Sequence, residues 1–395
     1  MSRFITRQFN SDMQDSKSIT VQKKKSIQNE IIKHSNNYFS LQKAAKNLTN
    51  KSRSKQEYSQ FSNVEKTRPD TDSRENPWRF LDSDHIDALK LKKKLIKKFK
   101  KKTLEQAIPG KVVSNIHGKY YSINNISESK FKQIAFKKCK KIIFSDLKIM
   151  SGIGHKRESE LKKNGYSSIK DLMKHPIWKK QASDFTDLIN KKRIRLLQIR
   201  MWKSMPKSHP LIHYLAGLNN PKDFVIIDIE TLGLSERPII LLGIAKIRKK
   251  SIHTNQFLLR YISDEPSAIW AFTMKIQKNC SLISYNGRGF DIPYVQQRLA
   301  YYGIETPIDN PHFDLLHFTR RALRHKLRNC RLETVEEYLN IGRGINIPGA
   351  LVPDFYQTYL KTGNVGPLVA IVEHNRQDLV TLATLFSRLY EEWNT

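Results

Sequence analysis

The sequence predicts an α/β domain in the C-terminal half of the chain, preceded by a small helical region and a basic tail. Continuous apolar runs such as Phe224 to Ile227, rich in β-branched residues, are typical of strands that are buried on both faces. They alternate with segments of helical period, the longest of which runs from Gly366 to Trp393. The length of 395 residues allows two or three domains.

The positive charge of the chain is concentrated in its N-terminal half. The formal net charge is +33, yet the part from Pro221 onward carries 21 Lys and Arg against 18 Asp and Glu. The part before it carries 49 against 19. A field of that sign attracts polyanions, of which nucleic acid is the common one. The alternative is a solubilising tail that binds nothing in particular.

We expect four regions along the chain: a disordered basic tail over 1–75, a basic helix and short β-hairpin over 76–145, a helical region over 146–215, and the α/β domain over 220–395. The tail is rich in Ser, Asn, Gln and Lys, and its few apolar residues keep no period. The chain begins without an apolar signal segment, and no stretch approaches the roughly 20 apolar residues that span a membrane. Three widely spaced cysteines form no metal or disulfide pattern, which suits a reducing, cytoplasmic location.

Two elements are predicted before the helical region. Leu89 to Lys102 reads as a basic amphipathic helix, with apolar residues at helical spacing among nine lysines. It could lie on a phosphate backbone or an anionic membrane surface, or it could be an ordinary solvated helix docked by its apolar stripe. Ile108 to Ile123 is typical of a short hairpin with Gly118 in its turn.

The helical region carries two predicted helices. One runs from about His155 to Asn164 and stops at Gly165, which suits a left-handed cap. The other starts at Ser168, with Asp171 three residues later completing a capping box.

Two glycines stand before the first of these helices. Gly152-Ile153-Gly154 would let the backbone approach a ligand, and the free N–H groups of a helix start attract anions. Lys156 and Arg157 stand beside them. The segment resembles a helix-hairpin-helix motif, which implies a grip on nucleic-acid phosphate without reading sequence. The alternative is a plain helical hairpin that packs on a neighbour.

The stretch "DFVIIDIETLGL", Asp223 to Leu234, ends its apolar run in Asp228 and Glu230. Residues two apart on a strand share one face, so these carboxylates would point the same way at the mouth of a buried strand. Two like charges so placed repel each other and resist ionising.

Further carboxylates follow on other elements. Asp291 stands near the start of a helix that comes after a predicted strand and the Asn286-Gly287 turn. His374 and Asp378 are four residues apart on the long last helix and therefore share a face. If the four carboxylates converge, hard oxygen ligands in that number require Mg²⁺ or Mn²⁺, and two such ions are a known device for phosphoryl transfer.

Three motifs, "DIETLGL", "YNGRGFDIPYV" and "HNRQD", resemble those of the DEDD exonuclease superfamily, which has a ribonuclease H-like fold. More closely, Phe224 to Leu389 resembles the YprB-type ribonuclease H-like domain, and so do the connecting pieces "CRLETVEEYL" and "IPGALVPDFYQTYLKTG". The resemblance implies a mixed sheet with flanking helices and metal-dependent 3′–5′ exonuclease activity. It also implies a set of metal ligands: Asp228, Glu230, Asp291 and Asp378.

The same resemblance puts His374 at the water-activating position. One departure is that the superfamily usually has Tyr-x-x-x-Asp or a His five residues before the Asp, whereas this chain has His-x-x-x-Asp. Asn286 could hold the site or contact substrate, or simply form the turn. Asp314 is a further candidate site residue, or a polar residue at a strand end.

The sequence thus predicts a nuclease with two Mg²⁺ or Mn²⁺ ions and nucleic acid as its partner. The helix-hairpin-helix-like segment favours DNA over RNA. An RNA exonuclease, an endonuclease and an inactive nucleic-acid-binding scaffold remain as alternatives.

Overall fold

A seven-stranded mixed sheet runs through the protein in the order β1-β2-β5-β4-β3-β6-β7. The computed structural model describes residues 78–234, 236–345 and 347–393, with side chains from residue 85 onward, so the tail predicted over 1–75 lies outside the described residues. The strands are β1 Lys111–Asn115, β2 Gly118–Glu128, β3 Phe224–Thr231, β4 Ile239–Arg248, β5 Ser251–Leu258, β6 Ser281–Ser284 and β7 His312–Asp314.

Helices cover both faces of this sheet. The first seven are α1 Trp78–Lys98, α2 Leu104–Ala107, α3 Phe136–Phe144, α4 His155–Lys163, α5 Lys179–Asn190, α6 Ile194–Met201 and α7 Pro210–Ala216. The others are α8 Glu265–Lys275, α9 Asp291–Tyr301, α10 Leu315–Leu323, α11 Leu332–Tyr338, α12 Val352–Thr362 and α13 Gly366–Arg388.

Strand β3 is buried on both faces, as the apolar run predicts. Phe224 and Ile226 belong to one hydrophobic core, and Val225 and Ile227 belong to the other. Because side chains alternate along a strand, Asp228 continues the face of Phe224 and Ile226. The second half of α13 packs on that same face, with Leu379, Leu382 and Phe386 in the first core.

The direction of the strands brings several strand ends to one edge. β3 is antiparallel to β4 but parallel to β6, and β6 is parallel to β7. The carboxyl ends of these three parallel strands therefore meet at one edge of the sheet. Asp228 and Glu230 near the end of β3, the 285–290 loop after β6 and Asp314 at the end of β7 all lie at this edge.

The predicted hairpin forms, and it extends the sheet. β1 and β2 are antiparallel, and β2 pairs with β5 from Tyr121 opposite Leu258 to Glu128 opposite Ser251. The segment that the sequence assigned to a region of its own, 76–145, thus contributes two strands to the sheet of the α/β domain. Residues 76–395 form one compact unit.

The basic helix is docked by its apolar stripe. Leu95 and Phe99 are buried in the second core, and the Lys92 ammonium lies 2.6 Å from the Asp354 carboxylate on α12. The side-chain amide of Asn364 donates a hydrogen bond to the Ile96 carbonyl. Of the three alternatives that the sequence left open, the apolar side of this helix follows the third, a helix docked on the rest of the protein. No helix in the described part of the chain is both long and apolar enough to cross a membrane.

The helical region agrees with the sequence in its first helix only. α4 runs from His155 to Lys163, and Gly165 follows with a φ of 87°. The predicted second helix from Ser168 was wrong, because only a 3-10 turn, Asp171–Lys174, forms there. Asp171 still caps the Ser168 amide, but Pro176 forces the residue before it into an extended conformation and so prevents a longer helix.

Candidate active site

The four predicted carboxylates converge at the carboxyl edge of β3. Asp228 interacts electrostatically with Glu230, Asp291 and Asp378, and Glu230 interacts with Asp291 and Asp378. Glu230 and Asp291 are buried, and Asp228 and Asp378 are half-buried. The pattern on three separate elements therefore describes one site.

All four carboxyl groups resist ionisation here. Burial first, and then repulsion from the neighbouring carboxylates, raises the pKa of Asp228 and Glu230 well above the usual range. Burial raises the pKa of Asp291 to about 7. Burial also raises the pKa of Asp378, to about 6, although the Arg343 guanidinium lowers it. The site is therefore an unfavourable place for negative charge unless a cation is present.

Asp228 is held by a buried amide network. The Asn375 side-chain nitrogen donates to the Asp228 carboxylate at 2.7 Å and to the Asp228 carbonyl at 3.2 Å. The Asn375 oxygen in turn accepts from the Gln256 side chain at 2.8 Å. Asp228, Gly243 and Gln256 stand side by side on three neighbouring strands. Gly243 leaves the space, because a Cβ there would collide with the Asn375 side chain and Leu379.

Asp291 is placed by the 285–290 loop. Asn286 adopts a left-handed φ of 67°, which Asn tolerates better than most residues, and its carbonyl accepts from the amides of Gly289 and Phe290. A Cβ on Gly287 would collide with Ser284 and come within 3.3 Å of the Asp291 carboxylate. The loop therefore folds tightly against the site, and Asn286 forms its turn.

Asp314 organises this loop from below. Its buried carboxylate accepts from the backbone amides of Asn286 at 2.8 Å, Arg288 at 3.1 Å and Leu316 at 3.1 Å. The last of these caps helix α10. Since both oxygens of Asp314 are engaged by backbone amides, this residue positions the loop that leads to Asp291.

A single arginine reaches the site from the segment after α11. The Arg343 guanidinium bonds the Asp378 carboxylate, the buried Glu336 at 2.7 Å and the Nδ1 atom of His374 at 2.8 Å. Thr381 donates to the other Glu336 oxygen, so Glu336 is itself fixed. Arg343 thus has a dedicated counter-ion in Glu336 as well as a contact with Asp378.

This contact decides the protonation of His374. A guanidinium only donates, so Nδ1 of His374 must accept and the ring proton must sit on Nε2. That Nε2 atom lies 3.8 Å from the Glu230 carboxylate and 3.7 Å from the Asp378 carboxylate. Burial, with Arg343 adding to it, lowers the pKa of His374 to about 3, so the ring is neutral.

The helix-hairpin-helix-like segment does not contribute a side chain to the contacts of this site. Ile153 is buried in the first hydrophobic core, Gly152 has a φ of 82°, and Arg157 donates to the Gly152 carbonyl at 2.7 Å. Gly154 is the N-cap of α4, and Lys156 is exposed on that helix.

The donor set suits a hard divalent cation. Four carboxylates offer only oxygen ligands, and burial, with mutual repulsion at Asp228 and Glu230, raises their pKa values. Within the described part of the chain, no three or more His, Cys, Asp or Glu side chains already meet at the spacing that one ion needs. The residues therefore fit a divalent ion by their chemistry, while Arg343 engages Asp378.

Comparison with known families agrees with this fold. Residues 225–390 match the family model of the RNase_H superfamily. They form a ribonuclease H-like domain. The chain is also 32% identical over 194 residues to the uncharacterized protein YprB of Bacillus subtilis, a match that covers 48% of this chain and 46% of that protein.

More distant relatives share smaller parts. The DNA polymerase III PolC-type of Mycoplasma pneumoniae is 29% identical over 116 residues, which is 24% of this chain and 8% of that protein. The chain thus spans less than half the length of either relative. A family B DNA polymerase of Pyrobaculum calidifontis (TM-score 0.31, 14% identity) covers 42% of this chain and 24% of its own. Exonuclease I (TM-score 0.28, 16% identity) covers 42% of each. Scores that low support no conclusion about function.

The sequence analysis did not identify several residues that support the carboxylate cluster. Asn375 stands next to His374 in "HNRQD" and three residues before Asp378, so a buried amide on the site face of that helix was a readable signal. Gly243 and Arg343 gave no local signal, because their roles depend on strand register and on the path of a loop.

The amide network predicts that Asn375→Ala destabilises the fold. The change removes one of the two acceptors of the Gln256 side-chain nitrogen, which keeps the Val372 carbonyl, and it leaves the Asp228 carboxylate without its amide donor. We expect a cost of about 1–3 kcal/mol in the free energy of unfolding. Urea unfolding followed by circular dichroism measures it. Gln297→Ala, an exposed amide on α9, is the control and should stay within about 0.5 kcal/mol of wild type. Equal effects of the two substitutions would contradict the network.

The raised pKa of Asp291 predicts a pH-dependent difference between wild type and Asp291→Asn without metal. Its contribution to stability is complete below the ordinary value of 3.8 and is lost as pH rises through about 7. In EDTA, wild type should therefore lose about 1–3 kcal/mol relative to Asp291→Asn between pH 5 and pH 8. Urea midpoints across that range measure the difference, with Asp187→Asn, an exposed carboxylate on α5, as the control. Parallel profiles for wild type and Asp291→Asn would refute this assignment.

Proposed function

We propose that this protein is a divalent-metal-dependent nuclease that removes nucleotides from DNA in the 3′–5′ direction. The observation that carries the proposal is the convergence of Asp228, Glu230, Asp291 and Asp378, four carboxylates crowded at one edge of a ribonuclease H-like sheet. Crowding of that kind costs free energy and is best explained by cations that bind there. DNA is favoured by the helix-hairpin-helix-like segment and by the likeness to a DNA polymerase.

The four carboxylates are the proposed ligands of two ions, Mg²⁺ or Mn²⁺. Such ions, when bound, supply the positive charge that stabilises the attacking and leaving oxygens of a phosphodiester. Asn375 fixes the orientation of Asp228, and the tight 285–290 loop fixes Asp291. The buried scaffold thus holds the carboxylates in position before any ion binds.

Arg343 and His374 are proposed to act together. While Arg343 holds Nδ1, the Nε2–H of His374 can orient an oxygen beside Glu230 and Asp378, but it cannot accept a proton. Service as a general base therefore requires that Arg343 leave Nδ1. If Asp378 bound an ion, the guanidinium of Arg343 would keep its ion pair with Glu336.

The Gly152-Ile153-Gly154 turn with Lys156 and Arg157 is the proposed second contact with nucleic acid. Ile153 anchors the turn in the core, and the N-terminus of α4 faces outward with Lys156 exposed beside it. Such contacts with phosphates would hold DNA without reading its sequence.

One observation favours a second candidate, an inactive nucleic-acid-binding scaffold. Arg343 already neutralises Asp378, and in an inactive domain it would be the permanent substitute for an ion. One guanidinium balances only one of four carboxylates, so the nuclease remains the better account.

A nuclease assay separates the two. We expect 5′-labelled single-stranded DNA to be shortened from its 3′ end with Mg²⁺ or Mn²⁺, and not in EDTA. The rate of shortening should fall at least about 100-fold in Asp228→Asn and in Asp291→Asn, because each removes an ion ligand. RNA and duplex DNA of the same sequence are run in parallel, and Asp187→Asn serves as the matched carboxylate control. Shortening from the 5′ end would refute the polarity, and preference for RNA would refute the substrate. Binding without cleavage in either metal would favour the scaffold.

A further inference from the structure

A cluster of cations that includes Arg288 of the 285–290 loop surrounds one aromatic ring. The Arg288 guanidinium lies 4.2 Å from the centroid of the Trp202 ring, with Lys207 at 5.7 Å and Arg195 at 5.8 Å. We call these four residues the Trp202 patch. Cation–π contact holds the long side chains near the ring and reduces the freedom they would lose on binding a ligand.

Arg288 is the unusual member of the patch. It is half-buried, yet among the described residues its guanidinium forms no ion pair and no hydrogen bond, and only its backbone amide is engaged, by Asp314. Burial, and to a smaller extent the neighbouring Arg195, lowers the pKa of Arg288, although the Asp314 carboxylate raises it. A partly desolvated cation next to another cation is costly, and an anionic ligand would offset that cost.

The charge of the patch is not balanced by the protein. Arg195 pairs with the exposed Asp309 at 2.6 Å, and no described carboxylate pairs with Lys207 or Arg288. The Asp314 carboxylate interacts electrostatically with Arg288 without forming an ion pair with it. The patch therefore keeps an excess of positive charge. The backbone phosphates of a nucleic acid are the kind of ligand that suits cations spaced in this way.

The patch is fixed in position relative to the candidate site. Arg288 stands in the 285–290 loop, three residues before Asp291, and Asp314 holds its backbone. From the other side, Gln198 on α6 exchanges two hydrogen bonds with the backbone of His312 at the start of β7. Trp202 follows that helix directly. The ring and the loop are therefore docked on adjoining strands of one sheet.

We propose that the Trp202 patch binds the backbone phosphates of a single nucleic-acid strand whose end lies at the carboxylates. This inference rests on the proposed function for the identity of the strand, and it names the surface that offsets the repulsion between a carboxylate site and a polyanion. The strand would be held by the charges of the Trp202 patch, whose side chains the ring keeps in place, with the same affinity for any sequence. Arg288 belongs both to the patch and to the 285–290 loop that precedes Asp291, so it would contact the phosphates nearest the site.

Chemical footprinting on the full chain tests the surface directly. A 12-nucleotide single-stranded DNA is added in EDTA, so no cleavage occurs, and the protein is labelled with phenylglyoxal for arginine and an acetylating ester for lysine. Mass spectrometry then quantifies each residue. We expect labelling of Lys207 and Arg195, and of Arg288 as far as it reacts, to fall at least about threefold, because phosphates would cover them. Lys222 and Lys361, exposed and without described ion pairs, are the internal controls.

A matched pair of double variants tests the location of the charge, since the rest of the chain is itself basic. Lys207→Gln with Arg288→Gln and Lys222→Gln with Lys361→Gln remove the same net charge, so their general electrostatic loss is equal. We expect the first pair to bind the oligonucleotide about tenfold more weakly than the second, by fluorescence anisotropy at several salt concentrations.

The outcomes are distinct from those of the nuclease assay. Protection of the patch together with a larger loss in the first double variant supports the inference, whether or not the protein cleaves DNA. Unchanged labelling of Lys207 and Arg195, with equal affinities for the two double variants, overturns it even if cleavage is observed. Equal protection by duplex and single-stranded DNA would overturn the restriction to a single strand.

Discussion

Four carboxyl groups share a small space at the carboxyl edge of β3, and their mutual repulsion is the constraint that the rest of the site serves. Burial prevents water from screening the charges, so the pKa values of Asp228 and Glu230 rise together. The fold tolerates this because the carboxylates are carried by separate rigid elements. β3 supplies two, α9 and α13 supply one each, and two hydrophobic cores hold these elements in place.

The scaffold around the carboxylates is polar, buried and closely fitted. Asn375 and Gln256 connect Asp228 to α13 and β5 through Gly243, which has no side chain to obstruct them. Asp314 gathers three backbone amides and so shapes the loop before Asp291. Each of these residues acts by positioning another residue. Together they keep the carboxylates in place against their mutual repulsion.

Local patterns predicted the parts of the site that lie within one element. The two-residue period of a strand placed Asp228 and Glu230 on one face, and the four-residue spacing on a helix placed His374 with Asp378. The sequence also predicted the basic helix and the hairpin, but it did not predict which elements they pack against. That β2 pairs with β5, and that Arg343 reaches Asp378, depend on long-range packing that a single sequence does not encode in any local period. The missing second helix after Ser168 was within reach, since Pro176 is a local signal.

The charge distribution of the molecule now has a structural counterpart. A negative site repels the polyanion that it is proposed to cut, so attraction must come from elsewhere. In the proposed function, the basic N-terminal half would supply most of it, and the cations around Trp202 would supply it near the 285–290 loop. This division would let affinity depend on salt while the chemistry depends on a divalent ion.

The most direct test of the central claim is the thermal unfolding midpoint at pH 8, with Mn²⁺ and with EDTA, for wild type and Asp228→Asn. If repulsion among the carboxylates is relieved by a cation, Asp228→Asn is more stable than wild type in EDTA, because wild type must either bury that charge or take up a proton when it folds. Millimolar Mn²⁺ should then raise the wild-type midpoint by several degrees and the variant much less. A wild-type midpoint that does not respond to Mn²⁺, together with a variant less stable in EDTA, would contradict the account.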